Sequence, residues 1–122
     1  MVHGKTHDVA IAKFIVPQSA KAGQTRQIAV GISNKRYLED VEVQLYKSYP
    51  GYGWQWVGTL RQSVPVRPSN RTTDFSFNYT FTVEDAGIGK VTFRAAVTFI
   101  NARDALPADN EAIGSPPTKV TR

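Results

Sequence analysis

The sequence predicts an all-β fold, a seven-stranded antiparallel β-sandwich, on two observations. Apolar and polar residues alternate with period two in one segment after another, which is typical of strands that bury one face, and no window shows sustained helical periodicity. Gly, Pro, Asn and Asp interrupt the alternation at fairly regular intervals, as turns between short strands do. At 122 residues, 41% of them hydrophobic and 20% charged, the chain has enough apolar material for one domain with one core.

The first predicted strand spans residues 8–16 and changes phase in its middle. Its apolar side chains fall on two faces, Val9 and Ile11 on one and Phe14 and Val16 on the other. We expect a kink or bulge near Ala12-Lys13 that lets the strand begin in one sheet and finish in the other. Pro17 ends the pairing, because proline has no backbone N–H to donate to a neighbouring strand.

Two strands with regular alternation follow, over residues 25–33 and 40–48. Their predicted inward side chains are Ile28, Val30 and Ile32 in the second strand and Val41, Val43 and Leu45 in the third. Glu42, Gln44 and Tyr46 occupy the alternate positions of the third strand. We therefore expect an antiparallel sheet with one face in water.

The fourth strand, residues 54–66, is predicted to lie at a sheet edge. Pro65 removes a backbone donor that a strand with neighbours on both sides would need. The segment Tyr49-Pro50-Gly51 before this strand predicts a type II turn. Proline presets the φ angle of the first central position, and glycine accepts the positive φ angle of the second.

The fifth and sixth strands, residues 73–83 and 90–100, hold most of the large apolar side chains. Their predicted inward residues are Phe75, Phe77, Tyr79, Phe81 and Val83 in the fifth strand and Val91, Phe93, Ala95, Val97 and Phe99 in the sixth. Burying one large side chain contributes about 1.5–3 kcal/mol, so both faces are expected in the core. Residues 84–89 are expected to turn the chain. The seventh strand covers part of residues 111–120 and is interrupted by Pro116-Pro117.

Two segments of the sequence resemble known families of protein modules. Ala22-Gly23-Gln24-Thr25, followed by Ile28-x-Val30-x-Ile32-x-Asn34, resembles the opening of bacterial and archaeal immunoglobulin-like modules. Residues 90–97, then a loop and Ala108-Asp109-Asn110-Glu111, resemble the closing hairpin of the CARDB family, a cell-adhesion-related domain of bacteria. The resemblance covers nearly the whole chain. It implies an immunoglobulin-like or fibronectin type III-like Greek-key sandwich, one unit of a larger extracellular protein, without catalytic residues. The aromatic residues within 49–56 depart from the family, and the Cys…Trp…Cys signature of antibody domains is absent.

Residues 1–7 are predicted to be a disordered leader, and residues 8–122 a single domain that is a fragment of a larger protein. The N-terminus is polar and lacks the apolar middle of a signal peptide, so the module is either cytosolic or cut from a longer secreted chain. No run of about 18 apolar residues is present, so we expect no membrane span. The predicted location is extracellular or the cell surface, with the periplasm as the alternative, and the predicted state is a monomer.

The sequence offers few groups for catalysis, and we expect no enzymatic activity, no cofactor and no metal. Cysteine is absent, and the two histidines, His3 and His7, lie in the predicted leader, away from any nucleophile and orienting acid. Glu39-Asp40-Glu42 and Glu84-Asp85 lie at predicted strand ends or turns, where acidic residues are common. The acidic loop 104–111 has oxygen ligands for calcium, but its spacing does not match an EF-hand, and the preferred interpretation is a solvated loop.

The net charge is +5, and residues 1–72 hold ten of the fifteen Lys and Arg. A basic half can indicate nucleic-acid binding. Here the basic residues are scattered, and only Lys35-Arg36 are adjacent. We therefore expect a solvated surface and no nucleic-acid partner.

Tyr49, Tyr52, Trp54 and Trp56 are the candidate binding residues. Trp54 and Trp56 lie two positions apart, so on a strand they share a face. If that face is exposed, it forms a flat aromatic platform that stacks sugars or nucleobases or anchors a protein interface. If it points inward, one or both indoles cover the end of the core beneath the edge strand. The sequence leaves both arrangements open.

These observations together predict a non-catalytic structural or interaction module, of the adhesion type, in a secreted or cell-surface prokaryotic protein. Its partners would be neighbouring domains of the same chain or another surface protein. The alternative is a carbohydrate-binding module that uses the aromatic residues within 49–56.

Overall fold

The computed structural model describes residues 9–34, 38–51, 53–67, 71–99 and 110–122, and the predicted leader lies outside these ranges. Within them the chain forms ten strands and one short helix. The strands are β1 (Val9–Ile15), β2 (Ser19–Lys21), β3 (Thr25–Asn34), β4 (Glu39–Tyr49), β5 (Gly53–Val64), β6 (Thr73–Thr80), β7 (Lys90–Val91), β8 (Phe93–Phe99), β9 (Asn110–Ile113) and β10 (Thr118–Thr121). The helix, α1, is Val83–Ile88 and lies between β6 and β7.

The strands form a sandwich in which the β1-β3-β6 sheet packs against the β5-β4-β8-β9 sheet, with the core between them. A small third sheet, β2-β10-β7, lies beside α1. The predicted all-β sandwich is confirmed, with ten strands in the described ranges in place of seven. The sixth and seventh predicted strands are each divided in two, and Ser19–Lys21 adds a short strand. One pairing, between β2 and β10, is parallel, so the sandwich is not wholly antiparallel as predicted.

The irregularity predicted in the first strand is present. The register of β1 against β3 shifts between Ile11 and Lys13, which leaves Ala12 as an extra residue. The shift turns the apolar residues on both sides of it toward the core, namely Val9, Ile11, Phe14 and Val16. The predicted change of sheet does not occur at this bulge. β1 stays paired with β3 to its end, and the chain crosses to β2 after Pro17, where the proline ends the ladder.

The predicted inward residues of the second, third, fifth and sixth predicted strands lie in the core, with two exceptions. Those that are buried are Ile28, Val30, Ile32, Val41, Val43, Leu45, Phe75, Phe77, Phe81, Val91, Phe93, Ala95 and Val97. Tyr79 is partly buried and packs against them. Val83 is 71% exposed, because it begins α1 instead of ending β6, so its predicted burial is wrong. The side chain of Phe99 lies outside the described part of the structure.

Residues 84–89, predicted to be a turn, mostly belong to the helix α1. Thr82 Oγ1 accepts the N–H of Asp85 at 3.0 Å, and the Asp85 carboxylate accepts the N–H of Thr82 at 3.0 Å, which is a capping box. Gly89 ends the helix with φ 97°, a left-handed conformation that glycine adopts without strain. The sequence signal for this helix is the spacing of Thr82 and Asp85, since six residues are too few to show a helical period.

β5 lies at the edge of its sheet, as Pro65 predicted. The turn before it has Gly51 at φ 86°, as the predicted type II turn requires. The last residue of β5, Val64, is hydrogen-bonded to the other sheet. Asn34 Nδ2, at the end of β3, donates to the Val64 carbonyl at 2.9 Å. Asn34 is buried, so this bond satisfies an amide that would otherwise be costly in the core.

Candidate ligand-binding face

The two tryptophans are exposed on the outer face of the β5-β4-β8-β9 sheet. Trp56 is paired with Tyr46 and Trp54 with Ser48, both on the side of β4 that points away from the core. Trp54 is 40% exposed and Trp56 59%. The face that carries both indoles is therefore exposed, and neither indole covers the core. That these side chains bind a ligand stays a prediction.

A bulge in β5 helps to place the indoles. The register shifts at Val57, which has no opposite residue on β4. Because of this extra residue, Trp56 and Thr59 face the same side although they are three positions apart. Trp56 Nε1 donates to Thr59 Oγ1 at 2.9 Å, which fixes the orientation of the ring.

A row of side chains crosses all four strands of this face, and we call it the aromatic row. It consists of Trp56 on β5, Tyr46 on β4, Arg94 on β8 and Ile113 on β9, each opposite the next. Arg94 Cζ lies 5.2 Å from the centroid of the Tyr46 ring and 5.7 Å from that of Trp54. Such cation–π contacts contribute about 0.5–1 kcal/mol at exposed sites and orient the guanidinium group. Ile113 is 59% exposed, so the row is apolar at both ends.

Hydrogen-bonding side chains run along β4 from Tyr46 of the aromatic row, across the direction of that row, and form what we call the polar ladder. Tyr46 Oη donates to Gln44 Oε1 at 2.8 Å, and Gln44 Nε2 donates to Glu42 Oε2 at 2.8 Å. Arg61 Nε, on β5, donates to Glu42 Oε1 at 2.8 Å. The hydrogen bonds from Gln44 and Arg61 hold the pKa of Glu42 below its ordinary value, so its carboxylate stays an acceptor.

Arg94 is also held by Glu111 on β9. Its Nη2 and Nε lie 2.8 Å and 3.1 Å from Glu111 Oε1. Glu111 belongs to the acidic loop considered for calcium, whose residues 104–109 lie outside the described residues. Within the described ranges, no three or more His, Cys, Asp or Glu side chains come together to hold a metal ion.

The four candidate binding residues do not all lie on the outer face in the described part of the structure. Trp54 and Trp56 lie on the outer face, Tyr49 is half-buried at the end of β4, and Tyr52 lies outside the described residues. Sequence reasoning did not assign Arg94 or Tyr46 to the site, although the alternation of β4 predicts that Tyr46 points outward. The tryptophans on β5 and Arg94 on β8 come together with Tyr46 because both strands pair with β4. No local feature of the sequence indicates this pairing.

A second cluster, inside the sandwich, joins both sheets and the helix. Lys47 lies on the inner face of β4, where its Nζ donates to Asp85 Oδ1 and to Tyr79 Oη, each at 2.8 Å. Tyr79 Oη donates to Asp85 Oδ2 at 2.6 Å. Asp85, predicted to be an ordinary turn residue, is 1% exposed and also caps α1. The cluster therefore links β4, β6 and α1 through one carboxylate.

The charges in this cluster stabilise one another. Burial alone would lower the pKa of Lys47, but its hydrogen bonds with Asp85 and Tyr79 outweigh burial and raise the pKa. Burial alone would raise the pKa of Asp85, but the hydrogen bonds from Lys47, Tyr79 and the Thr82 N–H lower it. Burial and the hydrogen bond to Asp85 raise the pKa of Tyr79, so its hydroxyl stays a donor. The cluster is a buried ion pair with a neutral hydroxyl.

The stability of the protein should therefore depend on the ionisation of Asp85. Its pKa is lowered in the folded state, so its contribution is present above the ordinary value of 3.8 and is lost as the pH falls through the folded-state value. The difference in unfolding free energy between the native protein and Asp85→Asn should be largest above about pH 5 and shrink on acidification. Urea unfolding followed by circular dichroism at several pH values measures this difference.

The control for that experiment is Glu84→Gln, which removes an exposed carboxyl group from the same helix turn. If the difference between the native protein and Asp85→Asn stays constant from neutral pH to about pH 2, the proposed link between Asp85 ionisation and stability is wrong.

Comparisons with known proteins concern the fold. No protein-family model matches the chain, and no curated protein matches its sequence. It is similar to the CARDB domain of a Pyrococcus furiosus protein in complex with di-metal ions, with a TM-score of 0.63 and 13% identity over 99% of this chain and 94% of that one. It is also similar to part of a β-glucosidase from Listeria innocua, with a TM-score of 0.57 and 11% identity over 98% of this chain. The chain spans 17% of the length of that enzyme.

No helix in the described ranges is both long enough and apolar enough to cross a membrane. The sandwich that the alternation of the strands predicts is present, and it is immunoglobulin-like, as the family resemblance implied. The fold of this chain is therefore similar to that of a CARDB domain, as the sequence resemblance predicted.

Proposed function

We propose that the chain is a non-catalytic structural and interaction module of a secreted or cell-surface prokaryotic protein, and that the outer face of the β5-β4-β8-β9 sheet is its interaction surface. The observation that carries this proposal is the exposure of Trp54 and Trp56 beside Tyr46 and Arg94 on paired strands. Trp, Tyr and Arg are the residue types that dominate binding energy at interfaces. Apolar patches on a surface mark sites of interaction.

The positions of the first and last strands support the proposal that this module lies between neighbouring domains. Val9 pairs with Asn34 at one end of β3. Thr121 pairs with Lys21, four residues before β3 begins, at the opposite end. β3 has 10 residues, so the two ends are about 30 Å apart. Domains attached on both sides would be held apart by the length of the sandwich.

The comparisons support the same role. The similar P. furiosus structure is a CARDB domain, and the similar part of the L. innocua enzyme is 17% of a longer chain. Both similarities favour the proposal that this chain is one module of a larger protein.

Antibodies raised against the chain should label intact cells that express the native protein, because a surface module lies outside the permeability barrier. Flow cytometry of intact and permeabilised cells measures this, with an antibody against a cytosolic protein as the control. Labelling that requires permeabilisation would contradict the surface location.

A further inference from the structure

We infer that the outer face binds a neutral polysaccharide chain, whose sugar rings stack on the indoles of Trp54 and Trp56 and contact the aromatic row. The inference rests on the proposed function, because it names the ligand class of the same surface. It follows from the shape of the row, the polar ladder that runs from it and the pairing of every charge that these two groups contain.

The row has the dimensions of an extended ligand. Neighbouring strands lie about 4.8 Å apart, so the aromatic row spans about 14 Å from β5 to β9. Trp54 adds a second indole about 6.6 Å from Trp56 along the strand. The C–H bonds on the face of a sugar ring are attracted to the negative π-face of an aromatic ring, as an aromatic ring edge is. Stacking of this kind tolerates variation along a polymer.

The polar ladder supplies partners for sugar hydroxyl groups, which both donate and accept hydrogen bonds. The side chains of Glu42, Gln44 and Tyr46 are already oriented by bonds to one another at 2.8 Å. Because these side chains are held before a ligand arrives, binding loses little side-chain entropy. A sugar chain on the aromatic row would therefore meet the fixed polar groups of Tyr46 and Gln44 where it crosses β4.

The charges on this surface favour a neutral ligand. Arg94 is paired with Glu111, and Arg61 with Glu42, each with an N–O distance of 2.8 Å. An acidic polymer gains affinity by meeting cations that lack a protein partner. Both arginines already have such a partner, so neither offers an unpaired cation to an acidic polymer. Nucleic acids and acidic polysaccharides are therefore disfavoured as occupants.

The experiment is a titration of the native chain with laminarin, hydroxyethyl cellulose, glucomannan and soluble starch as neutral probes, and with polygalacturonate and heparin as acidic ones. Binding is measured by tryptophan fluorescence and affinity electrophoresis. At least one neutral polysaccharide should bind and shift the tryptophan emission. Its affinity should change by less than about twofold between low and high salt, because the interaction is not electrostatic.

The double variant Trp54→Ala/Trp56→Ala should bind that polysaccharide about tenfold or more weakly, because both stacking surfaces are removed. The matched control is Ile15→Ala, which removes a 54% exposed side chain from the opposite sheet and should leave the affinity unchanged. Circular dichroism of both variants verifies that the sandwich is intact.

Several results would overturn the inference. These are no binding of any neutral polysaccharide, equal binding by the double tryptophan variant, binding confined to heparin or polygalacturonate with a steep salt dependence, or a dimer of the native chain that the double variant abolishes. If intact cells are labelled while no polysaccharide binds, the ligand class alone is wrong. Release of reducing sugar from a bound polysaccharide would instead contradict the non-catalytic part of the proposed function.

Discussion

Replacing Lys47 with methionine is expected to lower the free energy of unfolding by about 3–5 kcal/mol. Methionine keeps most of the length of the side chain but leaves the Asp85 carboxylate without its cation. The Lys47 and Asp85 side chains are 8% and 2% exposed, and the N–O distance is 2.8 Å, so water cannot readily replace the lost partner. Urea unfolding followed by circular dichroism measures the change.

The matched control is Lys13→Met, which breaks the ion pair of Lys13 with Asp74. That pair is 3.8 Å long between side chains that are 46% and 48% exposed, so its loss should cost less than about 1 kcal/mol. The double variant Lys47→Met/Asp85→Asn should recover part of the stability, because it removes the charge that is left alone. Equal losses for Lys47→Met and Lys13→Met would show that the buried pair does not stabilise the fold.

Replacing Phe93 with alanine is expected to lower the unfolding free energy by a similar amount, about 3–5 kcal/mol, for a different reason. Phe93 on β8 is 1% exposed, and its ring centroid lies 5.7 Å from that of Tyr79 and 6.1 Å from that of Phe81 in edge-to-face contacts. Phe93 and Tyr79 belong to opposite sheets, and Phe81 directly follows the strand of Tyr79. The gap left by alanine therefore cannot close without moving one sheet toward the other. The urea midpoint should fall while the slope of the transition stays the same.

Val83→Ala is the control for this variant, because Val83 is 71% exposed and its truncation leaves no cavity. Its effect should stay within about 0.5 kcal/mol. A loss below about 1 kcal/mol for Phe93→Ala would mean that the core closes around the gap, contrary to the tight ring contacts.

Local alternation in the sequence is enough to predict which side chains of a strand are buried. Val41, Val43 and Leu45 are all buried as predicted, and the polar residues between them face outward. The bulge in β1 and the edge position of β5 are also predicted correctly, because a change of phase and a proline are local signals. Each of these features depends on residues that are close in sequence.

Predictions fail where another interaction overrides the alternation, either a local helix cap or a contact between distant residues. Val83 continues the alternation of β6, but the capping box of Thr82 and Asp85 starts a helix there, and the side chain is exposed. Lys47 occupies an inward position of β4, and it is buried because Tyr79 and Asp85, 32 and 38 residues away, satisfy its charge. Nothing near Lys47 in the sequence indicates these partners.

The period-two alternation along the chain is enough to predict an all-β sandwich and a shared face for Trp54 and Trp56, because side-chain direction in a strand alternates with that period. The exposure of this face and the positions of Tyr46 and Arg94 beside the indoles are seen only in the folded chain. Both results depend on the order β5-β4-β8-β9 and on which side of that sheet packs against β1-β3-β6. Strand order arises from long-range packing of the core, which the spacing of residues along one strand does not encode.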